Sequence, residues 1–188
     1  EESNLGNAIA DSMATAYNDT TIAIINNGGI RNNIEAGNIT GEDIFHVLPF
    51  GNTIDRIKLK GAQLKKAIER AAFKLDVNDP DVYPGFGLQF TGFRLEITVT
   101  ETKAGNRVSR IQTMNSSGKY ENLDNEKTYT IAIGSYLAPQ GAQKYARGIF
   151  DNREYEEYIP GTVADYDAMR DWVVANNPLS PTIEGKLK

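Results

Sequence analysis

The residues best suited to chemistry in this chain are Asn26-Asn27-Gly28-Gly29-Ile30-Arg31. They follow an apolar run, Thr21-Ile22-Ala23-Ile24-Ile25, that reads as a short buried strand. Two glycines let the backbone turn tightly and approach a ligand with no Cβ in the way. The arginine beyond them carries a planar fork of donors suited to phosphate, carboxylate or ribose oxygens. A strand ending in Asn-x-Gly-Gly-x-Arg therefore places polar groups where ligands bind. The same six residues also fit a plain loop with a solvated arginine, and on their own they do not decide between the two.

Other chemistries find little support. There is no cysteine, so thiolate metal sites, disulfides and a cysteine nucleophile are excluded. The single histidine, His46 in Asp43-Ile44-Phe45-His46-Val47, reads as a packed or surface residue, with Asp43 three positions before it. A two-metal hydrolase needs several His, Asp and Asn ligands, and a serine triad needs a nucleophile elbow that this chain lacks. Asp79 and Asp81 lack the spacing of a calcium loop and read as a solvated turn. The acidic run from Asp151 to Glu157 reads as charged surface. No catalytic residue and no metal ligand is assigned to this chain.

The elements that must position the glycine-rich turn follow from periodicity. Residues 4–17 read as a helix through Leu5, Ile9, Ala10 and Met13. Thr40 caps a short helix that ends before Pro49. Residues 52–60 alternate as a strand, which Gly61 breaks. Residues 62–75 form the clearest helix, with Leu64, Ile68, Ala71, Ala72 and Leu75 inward and Lys65, Lys66, Glu69 and Arg70 on a solvated face. Residues 76–87 form a loop. Phe93 to Val99 and Val108 to Thr113 form a hairpin around the turn 103–106. Tyr129, Ile131 and Ile133 mark a further strand ending at Gly134. Thr162 caps a last helix with Asp165 three positions on, carrying Val163, Tyr166, Trp172 and Val173 inward, and Asn176-Asn177-Pro178 ends it. Interleaved helices and strands with one hairpin predict a single α+β (mixed α/β) domain, with a mixed sheet and packed helices.

The length of 188 residues suits one such domain, and the net charge of −5 argues against a surface that coats a nucleic-acid polymer. No apolar run is long enough to span a membrane. The chain opens at Glu1-Glu2-Ser3 without a methionine and reads as a piece of a longer protein.

Several segments together resemble the C-terminal domain of the 5′-nucleotidase family, which includes animal ecto-5′-nucleotidase and bacterial periplasmic UDP-sugar hydrolase. They are Glu2-Ser3-Asn4-Leu5-Gly6-Asn7, Asn26 to Arg31, Gly37-Asn38-Ile39-Thr40, Val47 to Thr53, Leu59 to Lys65, Phe86 to Arg94, and Ile183-Glu184-Gly185-Lys186. They stand in the family's order over nearly the whole chain. The resemblance implies that residues 1–188 form the nucleotide-holding domain, with two divalent metal ions in an upstream metallophosphatase domain and no cofactor in this one. It implies that Asn26, Gly28, Gly29 and Arg31 face the phosphate and ribose side of a nucleotide, and that Phe50 and Tyr136 stack on the base. On residue type alone, Phe50 after Pro49 reads as core, and Tyr136 as a strand-end residue half in the core.

One departure bears on the ligand. Where the family carries Gly-Gly-Asp after the second aromatic, this chain has Pro139-Gln140-Gly141-Ala142-Gln143, and Ala142 cannot accept the ribose hydrogen bond. The implied partners are a nucleotide or nucleoside and the parent's metallophosphatase domain, and the implied location is extracytoplasmic. The implied activity is 5′-nucleotidase-type ester hydrolysis by the full-length parent, the fragment alone being inactive. Hydrolysis of 2′,3′-cyclic nucleotides or UDP-sugars, or a non-catalytic binding module, are the alternatives.

Overall fold

The computed structural model describes residues 2–73, 87–98, 107–115, 117–138, 150 and 155–187. Isoleucine-rich runs build its centre. Ile22–Asn26 (β1), Ile54–Lys60 (β2), Leu88–Thr91 (β3), Thr128–Gly134 (β7) and Glu157–Ile159 (β8) form a sheet in the order β3-β1-β7-β2-β8. β1 and β7 run parallel and the other pairs antiparallel, so the sheet is mixed. Phe93–Ile97 (β4), Val108–Met114 (β5) and Tyr120–Asn122 (β6) form a second, antiparallel sheet. The fold is α+β.

Alternation divides the central sheet between two apolar layers. Ala23, Ile25, Ile54 and Ala132 face the helices Asn4–Thr15 (α1), Gly41–Val47 (α2) and Asp165–Ala175 (α4). Ile22, Ile24, Ile57, Leu59, Ile131 and Ile133 face Gly61–Phe73 (α3) and the β4–β5 hairpin.

The helices start for local reasons. The Ser3 hydroxyl accepts from the Gly6 amide at 3.0 Å and opens α1. Thr40 and Asp43 form a reciprocal capping box for α2, as expected. Gly61 ends β2, as expected, and begins α3 directly after it. A Cβ there would lie 2.1 Å from the Asp124 carbonyl oxygen, so the glycine answers a backbone contact.

Several expectations are corrected. Glu69 is not on a solvated face: it is buried, and its carboxylate accepts from the Arg107 and Val108 amides at 3.1 Å. Thr162 does not cap α4, whose N-cap is Ala164 with no side-chain bond, and Asp165 begins the helix rather than standing three positions into it. β3, β6 and β8, of four, three and three residues, are too short for periodicity to reveal. The loop 76–86, the hairpin turn 103–106, the Asp79/Asp81 pair, residues 151–154 and the Pro139–Gln143 stretch lie outside the described residues.

The ends of the fold are clamped. The Glu2 carboxylate accepts from the Glu184 amide at 2.7 Å, from the Lys186 amide at 2.8 Å and from the Asn7 side chain at 2.8 Å. Burial pushes the Glu2 carboxyl up, but these bonds outweigh it and hold the group below its usual range.

Candidate functional site

Strand register collects the candidate residues on one sheet edge. Ile24 pairs with Ile133 in the parallel β1–β7 ladder, and Ile54 pairs with Gly134 across β2 and β7. The turn after β1, the turn after β7 and the approach to β2 therefore emerge together. The carboxyl ends of parallel strands are where open α/β sheets bind ligands.

β1 ends at Asn26, and Asn27–Gly29 make a single 3₁₀ turn that closes with the Ile30 amide on the Asn27 carbonyl at 3.0 Å. Neither Gly28 nor Gly29 takes a positive φ. The glycines answer space instead: added Cβ atoms would stand 3.3 and 3.4 Å from the Asn26 side-chain amide, which fills the turn.

Arg31 leaves the turn anchored by its backbone, with its amide donating to the Val47 carbonyl at 2.9 Å, while its side chain is exposed. Its guanidinium carbon lies 5.8 Å from the centroid of the Phe50 ring. Phe50 is 59% exposed, so the core reading of this residue does not hold. Gly51 follows at φ +61°, a conformation that turns the chain at once into β2.

Tyr136 emerges from the same edge, two residues beyond β7, and packs in part against the apolar layer on the α3 side. Its link to the Phe50 loop is the backbone next door. The Ser135 amide donates to the Thr53 carbonyl at 2.8 Å, and the Thr53 amide donates to Ser135 Oγ at 3.1 Å. The structure thus brings Asn26, Gly28, Gly29, Arg31 and Phe50 onto one surface and sets Tyr136 at its flank.

Three supporting residues escaped the sequence reading. Gln89, buried at the end of the glycine turn, accepts from the Ser3 amide at 3.1 Å and donates to Asn27 Oδ1 at 2.9 Å. The Asn27 amide in turn donates to the Gly87 carbonyl at 2.8 Å. The signal for Gln89 lay in the Phe86–Arg94 stretch, but no role attaches to a glutamine without its partners.

Asp55 is buried within β2 and accepts from Thr53 Oγ1 at 2.8 Å, the Gly161 amide at 2.9 Å and the Tyr158 hydroxyl at 2.5 Å. Burial and the Asp55 carboxylate push the Tyr158 phenol well above its usual range. Asp165 completes the support: its amide donates to the Asn52 carbonyl at 2.9 Å, and its carboxylate accepts from Asn52 Nδ2 at 3.4 Å. Burial raises the Asp165 carboxyl to about 6, against the lowering effect of bonds from Tyr166 and Asn52.

His46 is exposed on α2, with Nε2 4.0 Å from Glu42. Among the described residues no group of three or more His, Asp or Glu side chains is placed to hold a metal ion. No described helix is long and apolar enough to cross a membrane.

This fold has a counterpart in known proteins. The family described as the 5′-nucleotidase C-terminal domain matches residues 1–147. The chain belongs to this family. It is 31% identical over 192 residues to the trifunctional nucleotide phosphoesterase protein YfkN of Bacillus subtilis, covering all of this chain and 12% of that protein. It is 28% identical over 204 residues to the 5′-nucleotidase of Mus musculus, again over the whole chain and 33% of the relative. The crystal structure of a 5′-nucleotidase precursor from Thermus thermophilus superposes with a TM-score of 0.80 at 30% identity, over 100% of this chain and 35% of that one. This 5′-nucleotidase C-terminal domain thus spans about a third or less of each of these relatives.

Proposed function

We propose that this domain holds the nucleotide of a 5′-nucleotidase-type phosphohydrolase, and that residues 1–188 act beside an upstream metallophosphatase domain. The observation that carries the reading is the exposed Phe50 ring with the Arg31 guanidinium 5.8 Å from it, at the sheet edge that also holds the Asn26–Gly29 turn. An exposed phenylalanine costs hydration and gains nothing from packing, so its place on a polar edge suits a base that stacks on it. Stacking of this kind contributes about 1–3 kcal/mol per base and tolerates different bases. Arg31 and the turn amides suit the phosphate and ribose oxygens. Tyr136 supplies a second aromatic face from the flank.

We assign the chemistry to the upstream domain, where two divalent metal ions would supply water activation and stabilisation of charge on the phosphoryl oxygens. This domain contributes positioning. Nucleotide turnover outside the cytoplasm is the setting in which we place the parent. The test is hydrolysis by the full-length parent, with divalent metals, followed as phosphate release from AMP and UMP, as nucleoside monophosphate formed from a 2′,3′-cyclic nucleotide, and as UMP plus sugar phosphate formed from a UDP-sugar. Metal-dependent turnover of one of them supports the reading and names the substrate. A folded parent that hydrolyses none of them overturns it in favour of a non-catalytic binding module.

A further inference from the structure

The outer face of the small sheet carries a second arrangement of charge. Cross-strand pairing sets Arg94 opposite Gln112 and Glu96 opposite Arg110. The C-terminal stretch runs beside β4: the Leu95 amide donates to the Lys186 carbonyl at 2.7 Å, and Leu187 bridges Leu95 in parallel. Leu187 packs against the core. Alternation therefore sends the Lys186 side chain to the opposite face, beside Arg94 and Glu96. A cleft of about 120 Å³ opens there, lined by Arg94, Glu96, Arg110, Gln112 and Lys186.

Lys186 is 1% exposed, and its ammonium makes no hydrogen bond. The Glu184 carboxylate stands 3.7 Å away, beyond hydrogen-bond reach. A buried ammonium with no acceptor is strongly unfavourable unless something supplies one. Arg110 is loosely held as well, with Nη1 3.7 Å from Glu96 and Nε donating to Asn122 at 3.2 Å. The Arg94 guanidinium lies over the Tyr120 ring at 4.0 Å, which fixes its plane beside the cleft. Glu96 and Glu184 are about half exposed, at 46% and 43%, and are free to turn toward water.

We propose that this cleft binds a small tetrahedral oxyanion of the phosphate or sulfate type. Lys186, Arg94 and Arg110 are its cationic donors, and the Gln112 amide is a neutral one. A tetrahedral dianion offers enough acceptor positions for one ammonium and two guanidinium groups, whereas a planar carboxylate is matched by a single arginine fork. The anion is either free or the phosphoryl group of a nucleotide. The site shares no residue with the Asn26–Arg31 turn or Phe50, so it stands independently of the nucleotide reading.

The experiment is calorimetric titration of the full-length parent, stripped of metal in EDTA, with inorganic phosphate at constant ionic strength set by chloride. The wild type is expected to bind one phosphate at this cleft. Lys186→Met is expected to weaken that binding about tenfold or more, and Arg110→Gln several-fold. Arg110 is half exposed, so its substitution reports on binding even if the lysine variant fails to fold. In the Phe50→Ala protein, displacement of the bound phosphate by AMP names a nucleotide phosphoryl group as occupant, and its absence names the free anion. Either result supports the site. No phosphate binding beyond the chloride control, or equal affinity in wild type and both variants, overturns it.

Discussion

Asp165→Asn is expected to stabilise the protein at pH 8 and to do little at pH 4.5. Asp165 is 2% exposed and begins α4 against the Phe50 loop. Its carboxyl titrates at about 6 in the folded protein against an ordinary 3.8. Between those values the unfolded chain releases a proton that the folded chain keeps. The folded state is therefore favoured at low pH, and this advantage drains away as pH rises through about 6. At roughly 1.4 kcal/mol per pH unit the full loss is about 3 kcal/mol above pH 7, of which only about 1 kcal/mol has accrued by pH 4.5. Asparagine removes the titration and keeps an acceptor for the Tyr166 amide, which bonds Asp165 Oδ1 at 2.8 Å. It also gives up the favourable charge at the start of α4, worth about 0.3–1 kcal/mol. The net gain at pH 8 is about 2 kcal/mol, or roughly 4–8 °C in Tm for a chain of this size. Thermal unfolding by circular dichroism, wild type against variant at both pH values, measures it. A variant less stable than wild type at pH 8, or a Tm difference that is the same at both pH values, refutes the assignment of a strained buried carboxylate.

Phe50→Ala is expected to raise the parent's KM for its nucleotide roughly 5- to 150-fold through lost stacking, with kcat changed less and Tm unmoved because the ring is 59% exposed; unchanged steady-state kinetics argue against Phe50 as a stacking residue. Gln89→Ala removes the acceptor of the half-buried Ser3 amide and the bond that Gln89 donates to Asn27 Oδ1, so unfolding in urea is expected to require about 2–3 kcal/mol less. Glu69→Ala uncaps two buried amides at the start of β5 and is expected to cost about 2–4 kcal/mol by the same assay, while Lys65→Ala, on the exposed face of the same helix, is expected to move stability by less than about 0.5 kcal/mol.

The parts of the fold that sequence disclosed are those whose cause is local. α2 was legible because Thr40 and Asp43 satisfy each other's backbone within four residues. β2, β4, β5 and β7 were legible because alternation over five or more residues reports a half-buried strand. What stayed hidden depends on distant partners. Glu69 and Lys66 are both charged positions on α3, and only the Arg107 and Val108 amides, 38 and 39 positions away, distinguish the first. Three- and four-residue strands exist by pairing, as β8 does on β2, and carry no period of their own. In the site, the Asn-x-Gly-Gly-x-Arg turn announced itself through its glycines, but Phe50 looked like core because type alone cannot tell a buried ring from one turned outward. Gln89, Asp55 and Asp165 act on the site through bonds that no local pattern encodes.

The Glu2 clamp joins residues 184 and 182 positions apart on its two backbone bonds. A chain emerging from synthesis in order cannot close it until residues 184–186 are free, so within this domain the native contacts of Glu2 are among the last to form. The same closure brings the two ends of the fold side by side. A circular permutant that joins Leu187 to Glu2 through a short flexible linker and opens the chain in an exposed loop keeps every strand pairing. Removal of residues 182–187, by contrast, strips Glu2 of both backbone donors and Asn7 of its Thr182 carbonyl. That loosens Ser3, and through the single Gln89 side chain the asparagine–glycine turn beside it, so a cut at residues 182–187 reaches the edge proposed to hold the nucleotide.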